Sequence, residues 1–431
     1  MLSLWAMQTQ MPRFPKLQED IRTDVLVIGG GMAGILCAWF LKRAGVECVL
    51  AEGGALCGWN TGNTTAKVTS QHGLLYDELV RKEGLETAGL YLAANLSAVE
   101  QYAKLCQKLG SPFERRDSYV YSVNDQGRLE KEMGALEKLG YRAQFSDALR
   151  LPFSVVGGVR FADQGQIDPL DLASRLVKDL PVYERTGIRE IAKEGAVTDD
   201  GRRIEADQYI VATHFPFWNR HGLYFMKMYQ QRSYCIALEG AQDVEGMYVD
   251  EAANGFSFRN AGRYLLVGGG GHRTGKEGGC WQQLRQFAGR FYPKAKEVCS
   301  WAAQDCMTLD RIPYIGRYAK HLPGVWTATG FNKWGMTSSM VAAQILTDEI
   351  LGKESPFARV FDPSRSMRKG PLLRNGMEAA GNLLALSKKR CPHLGCALKW
   401  NGAEHSWDCP CHGSRFSAEG MLLDNPATDK L

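Results

Sequence analysis

The stretch from residue 24 to residue 52 constrains the fold more than any other part of the sequence. Val25–Ile28 is an apolar run suited to a strand buried on both faces, and a glycine-rich turn with G-x-G-x-x-G spacing follows it. A helical pattern then leads to Gly45, and a second apolar strand ends at Glu52. In this context the turn approaches a pyrophosphate and the acid binds ribose hydroxyls, so we predict a dinucleotide site. An ordinary glycine-rich turn would leave Glu52 unexplained. The motif glycines are Gly29, Gly31 and Gly34.

Length and composition place the chain among ordinary globular proteins. Its 431 residues are enough for two or three domains, and 45% hydrophobic with 23% charged residues excludes extensive disorder. The net charge of +5 is too small to indicate nucleic-acid binding, and no run of basic residues supports it. The N-terminus lacks the basic and apolar regions of a secretory signal, and the apolar run Val25–Leu41 is interrupted by the motif glycines. We therefore expect a soluble, cytoplasmic protein without a transmembrane segment.

Small and hydroxyl-bearing residues follow Glu52, including the segment Thr61–Lys67. Such residues suit a long cofactor that continues along the chain, whereas the alternative is a solvated loop. A second glycine run, Gly268–Gly271, also follows a strand, but the last position that the fingerprint requires is Arg273. No acid-ended βαβ unit follows this run, so a separate NADPH domain is disfavoured.

These segments resemble the D-amino-acid-oxidase and glycine-oxidase family of FAD oxidoreductases, and the resemblance implies FAD as the cofactor. In that family the segment after the ribose acid lines the flavin ring, so the resemblance implies that Thr64, Thr65 and Lys67 lie beside the isoalloxazine. Residues 209–214 resemble the family's turn beside the cofactor, although His214 stands where that turn usually has glycine. Because His214 has no ligand-like spacing, we interpret it as structural.

The segment from Val325 onwards resembles the family's last strand, loop and helix, which close over the flavin. We expect Thr337 or Ser338 to be the N-cap of this helix. The resemblance implies that the loop and the start of the helix face the flavin. The residues concerned are Gly330, Gly335, Met336 and Thr337.

Polar residues on the predicted substrate sheet, and Lys67 beside the flavin, are candidates to orient a small substrate. An arginine there could hold a substrate carboxylate in a bidentate clamp. For each candidate the alternative is an ordinary surface or structural role. The catalytic candidates are Lys67, Tyr234, His272 and Arg273.

Two cysteine- and histidine-containing boxes near the C-terminus have the spacing C-x-H, fifteen residues, then C-x-x-H. The boxes resemble those of Rieske domains, in which two cysteines and two histidines hold a [2Fe–2S] cluster. The resemblance implies thiolate ligands from Cys391 and Cys409 and imidazole ligands from His393 and His412. It also implies a disulfide between the two boxes, formed by the remaining cysteines Cys396 and Cys411. A zinc knuckle is the alternative for cysteines and histidines at such spacing.

The combined resemblance implies an α/β fold with three parts. These are an FAD-binding, Rossmann-like domain of the glycine-oxidase type, an inserted antiparallel-sheet substrate domain, and a small β-rich Rieske module. The expected boundaries are 1–354 for the oxidoreductase (nucleotide-binding parts about 20–110, 156–215 and 305–354; substrate parts about 111–155 and 216–304), 355–390 for a linker and cover, and 391–431 for a minimal Rieske domain.

The sequence therefore favours an FAD-dependent oxidoreductase that oxidises a small amine or amino acid. In this hypothesis electrons pass singly to the cluster and then to an acceptor protein or a quinone. One alternative is a reductase in which a carrier feeds electrons through the cluster and FAD to an unsaturated substrate. Another is an electron-transfer module without a substrate of its own.

Overall fold

The structure is a computed structural model that describes residues 2–218, 221–367, 369–385 and 387–431. The expected substrate part 216–304 and linker 355–390 therefore include residues 219, 220, 368 and 386, which lie outside the described residues. The α-helices are α1 (Leu4–Gln8), α2 (Met32–Arg43), α3 (Asn60–Asn63), α4 (Tyr76–Leu109), α5 (Gln126–Lys138), α6 (Pro169–Leu176), α7 (Tyr224–Lys227), α8 (Cys280–Phe291), α9 (Gly335–Ile350), α10 (Ala358–Phe361) and α11 (Lys369–Leu384).

The strands form three sheets. They are β1 (Ile21–Ile28), β2 (Cys48–Ala51), β3 (Lys67–Val68), β4 (Glu114–Ser122), β5 (Gln144–Ser146), β6 (Gly157–Gln166), β7 (Val182–Tyr183), β8 (Ile188–Ala192), β9 (Gly195–Thr198), β10 (Arg203–Val211), β11 (Met228–Glu239), β12 (Met247–Asp250), β13 (Ser257–Ala261), β14 (Tyr264–Arg273), β15 (Lys296–Thr308), β16 (Tyr314–Arg317), β17 (Val325–Thr329), β18 (Lys399–Asn401), β19 (Ser406–Asp408), β20 (Arg415–Ser417) and β21 (Leu422–Asp424).

The nucleotide-binding sheet has the order β16-β17-β10-β1-β2-β7. Strand β1 runs parallel to both neighbours, β10 and β2. Its side chains alternate between two apolar cores, because Val25 and Val27 join one buried cluster while Leu26 and Ile28 join another. Burial on both faces explains why this strand is a continuous apolar run, as the sequence predicted.

The substrate sheet has the order β15-β11-β14-β13-β12-β4-β6-β3, with β5 added beside β6. Its neighbours are antiparallel except for β12 and β4, which pair in parallel. Strand β14 passes through Gly268–Gly271, so the second glycine run is strand rather than a nucleotide-binding turn. A Cβ at Gly268 would lie 2.6 Å from the Ser257 hydroxyl oxygen, so a side chain there would require the serine to move.

Helix α9 begins earlier than predicted. It starts at Gly335 after Trp334, so the expectation of Thr337 or Ser338 as the N-cap is wrong. The Thr337 hydroxyl instead donates to the carbonyl oxygen of Thr69 at 3.2 Å. The Thr337 hydroxyl is therefore used by a buried carbonyl outside the helix and does not cap it. The first turn of α9 begins at Gly335.

The C-terminal module is a four-stranded antiparallel sheet, β18 to β21. Its small core contains the box cysteines and Phe416, and Cys396 is bonded to Cys411 as the resemblance implied. The predicted fold class is confirmed: a mixed nucleotide-binding sheet, a largely antiparallel substrate sheet and a small β-rich module share one chain. Among the helices that the structure describes, none combines the length and apolarity needed to cross a membrane.

Candidate active site and iron–sulfur centre

A cavity of about 870 Å³ lies between the nucleotide-binding sheet, the substrate sheet and the C-terminal module. Most of the predicted cofactor residues line it; they are Gly29, Gly31, Glu52, Thr64, Thr65, Gly335 and Met336. The remaining three, Gly34, Gly330 and Thr337, are not among its lining residues in the described part of the chain. The cavity thus brings together segments that are hundreds of residues apart in sequence.

The glycine-rich turn is packed too closely for side chains. Gly29 has φ +111°, and a Cβ there would lie 2.5 Å from the carbonyl oxygen of Ala212. A Cβ at Gly34 would lie 1.9 Å from the carbonyl oxygen of Gly29. Gly29 therefore packs against the end of the neighbouring strand β10, and Gly34 packs helix α2 closely against the turn.

The substitution Gly34→Ala should lower FAD affinity by about tenfold or more, because the added methyl group must displace the turn backbone. Titration of apoprotein with FAD, followed by flavin fluorescence, measures this change. Gly89→Ala is the matched control, because a Cβ at Gly89 meets only a Leu139 methyl group at 3.9 Å. An unchanged FAD affinity in Gly34→Ala would show that the turn does not hold the cofactor.

Glu52 is fixed at the cavity wall by backbone donors. Its carboxylate accepts hydrogen bonds from the N–H groups of Gly30 and Gly54, both at 2.7 Å. Burial raises the pKa of this carboxyl group, and the two donors oppose that shift. The carboxylate is thereby held at the edge of the cavity, and its contact with the ribose stays a prediction.

The segment that the resemblance assigns to the flavin carries one buried cation, Lys67, and is contacted by a second, Arg259 of strand β13. Lys67 lines the cavity, and its ammonium group donates to the Thr65 hydroxyl at 3.3 Å. Arg259 donates to the carbonyl oxygens of Thr65 and Ala66, both at 2.8 Å. Burial, together with the nearby Arg259, lowers the pKa of Lys67 to about 7. This end of the cavity is therefore suited to an anionic group.

The other catalytic candidates lie towards the C-terminal module. Tyr234 lines the cavity, but its hydroxyl lies 2.9 Å from both His272 Nε2 and a carboxylate oxygen of Glu404. Neither His272 nor Arg273 is among the described residues that line the cavity. Arg273 donates to the carbonyl oxygens of Pro410 and Cys411, both at 3.1 Å. Its guanidinium thus contacts the second box, which differs from the predicted substrate clamp.

His214 adopts the conformation of the glycine that it replaces. Its φ is +67°, and the side chain lines the cavity. Nε2 is buried and has no hydrogen-bond partner among the described residues. Burial lowers the pKa of His214, and the nearby carboxylates of Asp305 and Asp424 oppose that shift. The sequence interpretation of His214 as purely structural overlooked this unpartnered nitrogen, for which the departure from glycine was the available signal.

The four predicted cluster ligands lie in one buried pocket. Cys391 and Cys409 are each 1% exposed, and the rings of His393 and His412 lie 4.9 Å apart between centroids. Both ring nitrogens of His393 and Nδ1 of His412 are buried without partners in the described chain. Buried imidazole nitrogens are normally hydrogen-bonded, so these atoms fit the role of metal ligands.

The lowered pKa values of the two histidines and the pairing of the nearby cysteines agree with a role in metal binding. Burial lowers the pKa of His393 to about 4 and that of His412 to about 3, which favours the neutral imidazoles that bind metals. Cys396, Cys409 and Cys411 also place their sulfur atoms close together. Because the first and last of these three form the disulfide, only Cys409 of the trio is a free thiol.

Side-chain amides connect the second box to the oxidoreductase. Gln230 Nε2 donates to the carbonyl oxygen of His412 at 2.8 Å, and Gln304 Nε2 donates to that of Gly413 at 2.8 Å. Asn425 Nδ2 donates to the carbonyl oxygens of Thr213 (2.6 Å) and Phe215 (2.9 Å), on either side of His214. Sequence reasoning missed these contacts of Gln230, Gln304 and Asn425, because a side-chain amide carries no sign of which backbone carbonyl it will face.

A buried charge network joins the module to strand β11. Glu404 accepts from Arg232 Nε at 2.9 Å and from Arg415 Nη2 at 2.8 Å. Arg415 also pairs with Asp408 at 3.0 Å and with Asp424 at 2.9 Å. The side chains of Arg232, Glu404 and Arg415 are each at most 9% exposed. Buried ion pairs with strand β11 of the substrate sheet therefore hold the C-terminal module in place.

A dinucleotide cavity combined with a buried cysteine and histidine pocket defines a redox protein with two cofactor sites. Comparison with known proteins agrees with both. Residues 24–349 match the family model for FAD dependent oxidoreductases of the DAO family, and residues 367–431 match the model for Rieske [2Fe–2S] domains. The chain therefore belongs to the DAO family of FAD-dependent oxidoreductases and carries a C-terminal Rieske domain. Its cofactors are FAD and a Rieske [2Fe–2S] cluster.

Individual relatives support both halves. The Rieske 2Fe-2S iron-sulfur protein YhfW of Bacillus subtilis (strain 168) is 33% identical over 489 residues, covering 99% of this chain and 96% of the relative. Glycine oxidase from Geobacillus kaustophilus has a similar fold, with a TM-score of 0.68 and 18% identity over 80% of this chain and 100% of its own. L-proline dehydrogenase from P. horikoshii gives a TM-score of 0.65 and 16% identity, covering 81% and 98%.

Proposed function

We propose that this protein oxidises a small amino acid or a related amine at the FAD cavity and that the electrons leave through the Rieske cluster to an external acceptor. When bound, FAD supplies a two-electron acceptor and the cluster supplies a one-electron carrier.

The observation that carries the proposal is that the Rieske module forms part of the wall of the FAD cavity. Asp424 and Asn425 line the same cavity as Gly29 and Gly31. A cofactor held at the glycine-rich turn would therefore lie in a cavity whose wall includes the module itself. This arrangement supports electron transfer within one chain.

A short path of side chains leads from the cavity to the cluster pocket. Phe215 follows His214, which lines the cavity, and the ring centroids of Phe215 and His412 lie 6.4 Å apart. Asn425 holds the backbone on both sides of His214. The Asn425 amide therefore supports a fixed position of the module relative to the backbone at His214.

Lys67 and the names of the similar structures favour an amino acid as the substrate. Glycine oxidase and L-proline dehydrogenase are named for amino acids, which carry a carboxylate. In this chain the cationic form of Lys67 would bind that carboxylate at the cavity wall. Because no carboxylate contacts Lys67 among its described hydrogen bonds and ion pairs, the substrate would supply its counter-charge.

The affinity for a carboxylate ligand should therefore fall as pH rises through about 7. The lowered pKa of Lys67 means that its ammonium form is present below this pH and its neutral form above it. Above pH 7 the dissociation constant of acetate should rise about tenfold per pH unit, as expected for one linked proton. Titration of the holoprotein with acetate, followed by flavin absorbance from pH 6 to pH 9, measures this dependence.

Lys67→Met should remove the pH dependence, whereas Lys104→Met, at an exposed lysine of α4, should retain it. A Lys67→Met protein that keeps the wild-type pH dependence of acetate binding would assign the linked proton to another group.

Anaerobic stopped-flow reduction tests the proposed function directly. The holoprotein is mixed with individual amino acids and with the amines that lack their carboxylates, and the absorbance of flavin and cluster is followed separately. We expect an amino acid to bleach the flavin first and the cluster afterwards. A cluster that stays oxidised while the flavin turns over would contradict the proposal. Flavin reduction by a pre-reduced cluster, with reoxidation by an unsaturated substrate, would favour the reverse direction.

A further inference from the structure

Helix α11 turns its apolar side chains outward. Leu373, Met377 and Leu384 are 66%, 60% and 84% exposed. Ala380 is also exposed, so the four positions follow the spacing i, i+4, i+7 and i+11 of a single helical stripe. An ordinary surface helix buries such a stripe, and several large apolar side chains together on a surface mark an interaction site.

The polar side of the same helix faces the protein. Asn375 is 5% exposed; its amide donates to the carbonyl oxygen of Met226 at 3.1 Å and accepts from Arg273 at 3.0 Å. Glu378 pairs with Lys276. These polar contacts, together with Ala379 packed against the core of the C-terminal module, orient the helix so that the apolar stripe points away from the protein.

Positive charge is concentrated around this helix. Residues 366–399 contain seven lysines and arginines but one acidic residue, Glu378, so their net charge exceeds the +5 of the whole chain. Arg374 on the helix, and Lys388 and Arg390 after it, are exposed. An apolar stripe flanked by cations is the pattern of helices that lie in the interface of an anionic membrane.

The C-terminal end of the helix is joined to the first box. Arg390 Nη1 donates to the carbonyl oxygens of Leu383 at 3.0 Å and Gly395 at 2.9 Å. Leu394, next to the predicted ligand His393, is itself 42% exposed. A surface that covers the stripe would therefore lie beside the loop that carries His393.

We propose that α11 lies in the interface of a membrane containing anionic lipids and docks the Rieske module there. The apolar stripe Leu373, Met377, Ala380 and Leu384 enters the boundary between headgroups and acyl chains, while Arg374 and Lys388 pair with lipid phosphates. Docking would bring the first box close to acceptors that are dissolved in the membrane. The membrane attachment does not depend on the proposed substrate, so the two proposals can fail separately.

Vesicle co-sedimentation with the full-length holoprotein tests the attachment. We expect binding to vesicles of equal parts phosphatidylcholine and phosphatidylglycerol, weaker binding to phosphatidylcholine alone, and a decrease with added salt. The double variant L373Q/M377Q should bind at least about tenfold more weakly, because two side chains no longer enter the apolar boundary. L85Q is the matched control, since Leu85 is 51% exposed on the distant helix α4.

Four results would overturn the proposal. The first is no binding to either vesicle, and the second is equal binding by wild type and L373Q/M377Q with unchanged visible spectra. The third is a dimer in sedimentation that L373Q/M377Q dissociates, which would assign the stripe to a second copy of the chain. The fourth is binding to a polyanion such as heparin, unaffected by L373Q/M377Q, without binding to vesicles, which would assign the cations to another partner.

Discussion

The Cys409→Ser protein is expected to lose its [2Fe–2S] cluster while retaining FAD. Cys409 is buried in the pocket that also contains Cys391, His393 and His412, and a serine hydroxyl is a poor substitute for a thiolate on iron. Iron content should fall from about two atoms per chain to nearly none. The EPR signal of the dithionite-reduced protein should disappear with it, while the flavin absorbance persists.

Cys299→Ser is the matched control for this experiment, because Cys299 is a free cysteine on strand β15 of the substrate sheet. It should retain both the iron and the EPR signal. A Cys409→Ser protein with a full complement of iron would show that the cluster is held by a different set of residues. Loss of FAD together with iron would show that the module is required for folding of the cavity.

Glu404→Ala should produce a large loss of stability, although Arg415 keeps its pairs with Asp408 and Asp424. It leaves the buried guanidinium groups of Arg232 and Arg415 without their shared carboxylate. Removal of one partner from a buried ion pair typically costs about 3–5 kcal/mol, because the remaining charge stays desolvated. The free energy of unfolding, measured by denaturant with cluster absorbance as the probe, should fall by this amount.

Glu297→Ala provides the comparison at an exposed pair, since Arg285 and Glu297 are 51% and 28% exposed. Its cost should stay below about 1 kcal/mol. Because Glu404 joins the module to strand β11, its loss should also slow reduction of the cluster relative to reduction of the flavin. A Glu404→Ala protein that unfolds like wild type would show that Arg232 and Arg415 find water or other partners.

Local sequence was sufficient to predict the features that arise within a few residues of each other. The strand, turn and helix around Gly29 and Gly34 follow from steric limits that only glycine satisfies, and the structure has them where the pattern indicated. Box spacing predicted the Cys396–Cys411 disulfide through a family resemblance, and the structure contains it.

Contacts between distant segments could not be predicted in this way. Arg273 was expected to face a substrate, yet its guanidinium binds the carbonyl oxygens of the second box. An arginine on a strand can be paired with a carboxylate, a backbone carbonyl or a ligand, and its own sequence neighbours do not distinguish these partners. The contact of Gln230 with the second box was overlooked for the same reason.

The sequence by itself determined two buried strands of the nucleotide-binding sheet and the glycine-rich turn between them, which leaves space for a cofactor. It also determined two boxes with the donor atoms for iron. Only the tertiary structure decided that the Rieske module forms a wall of the FAD cavity and that α11 exposes its apolar side. The physical reason is that turns and ligand loops are specified by short-range sterics and donor chemistry. The position of one module against another depends instead on many side chains that meet only after the sheets have formed.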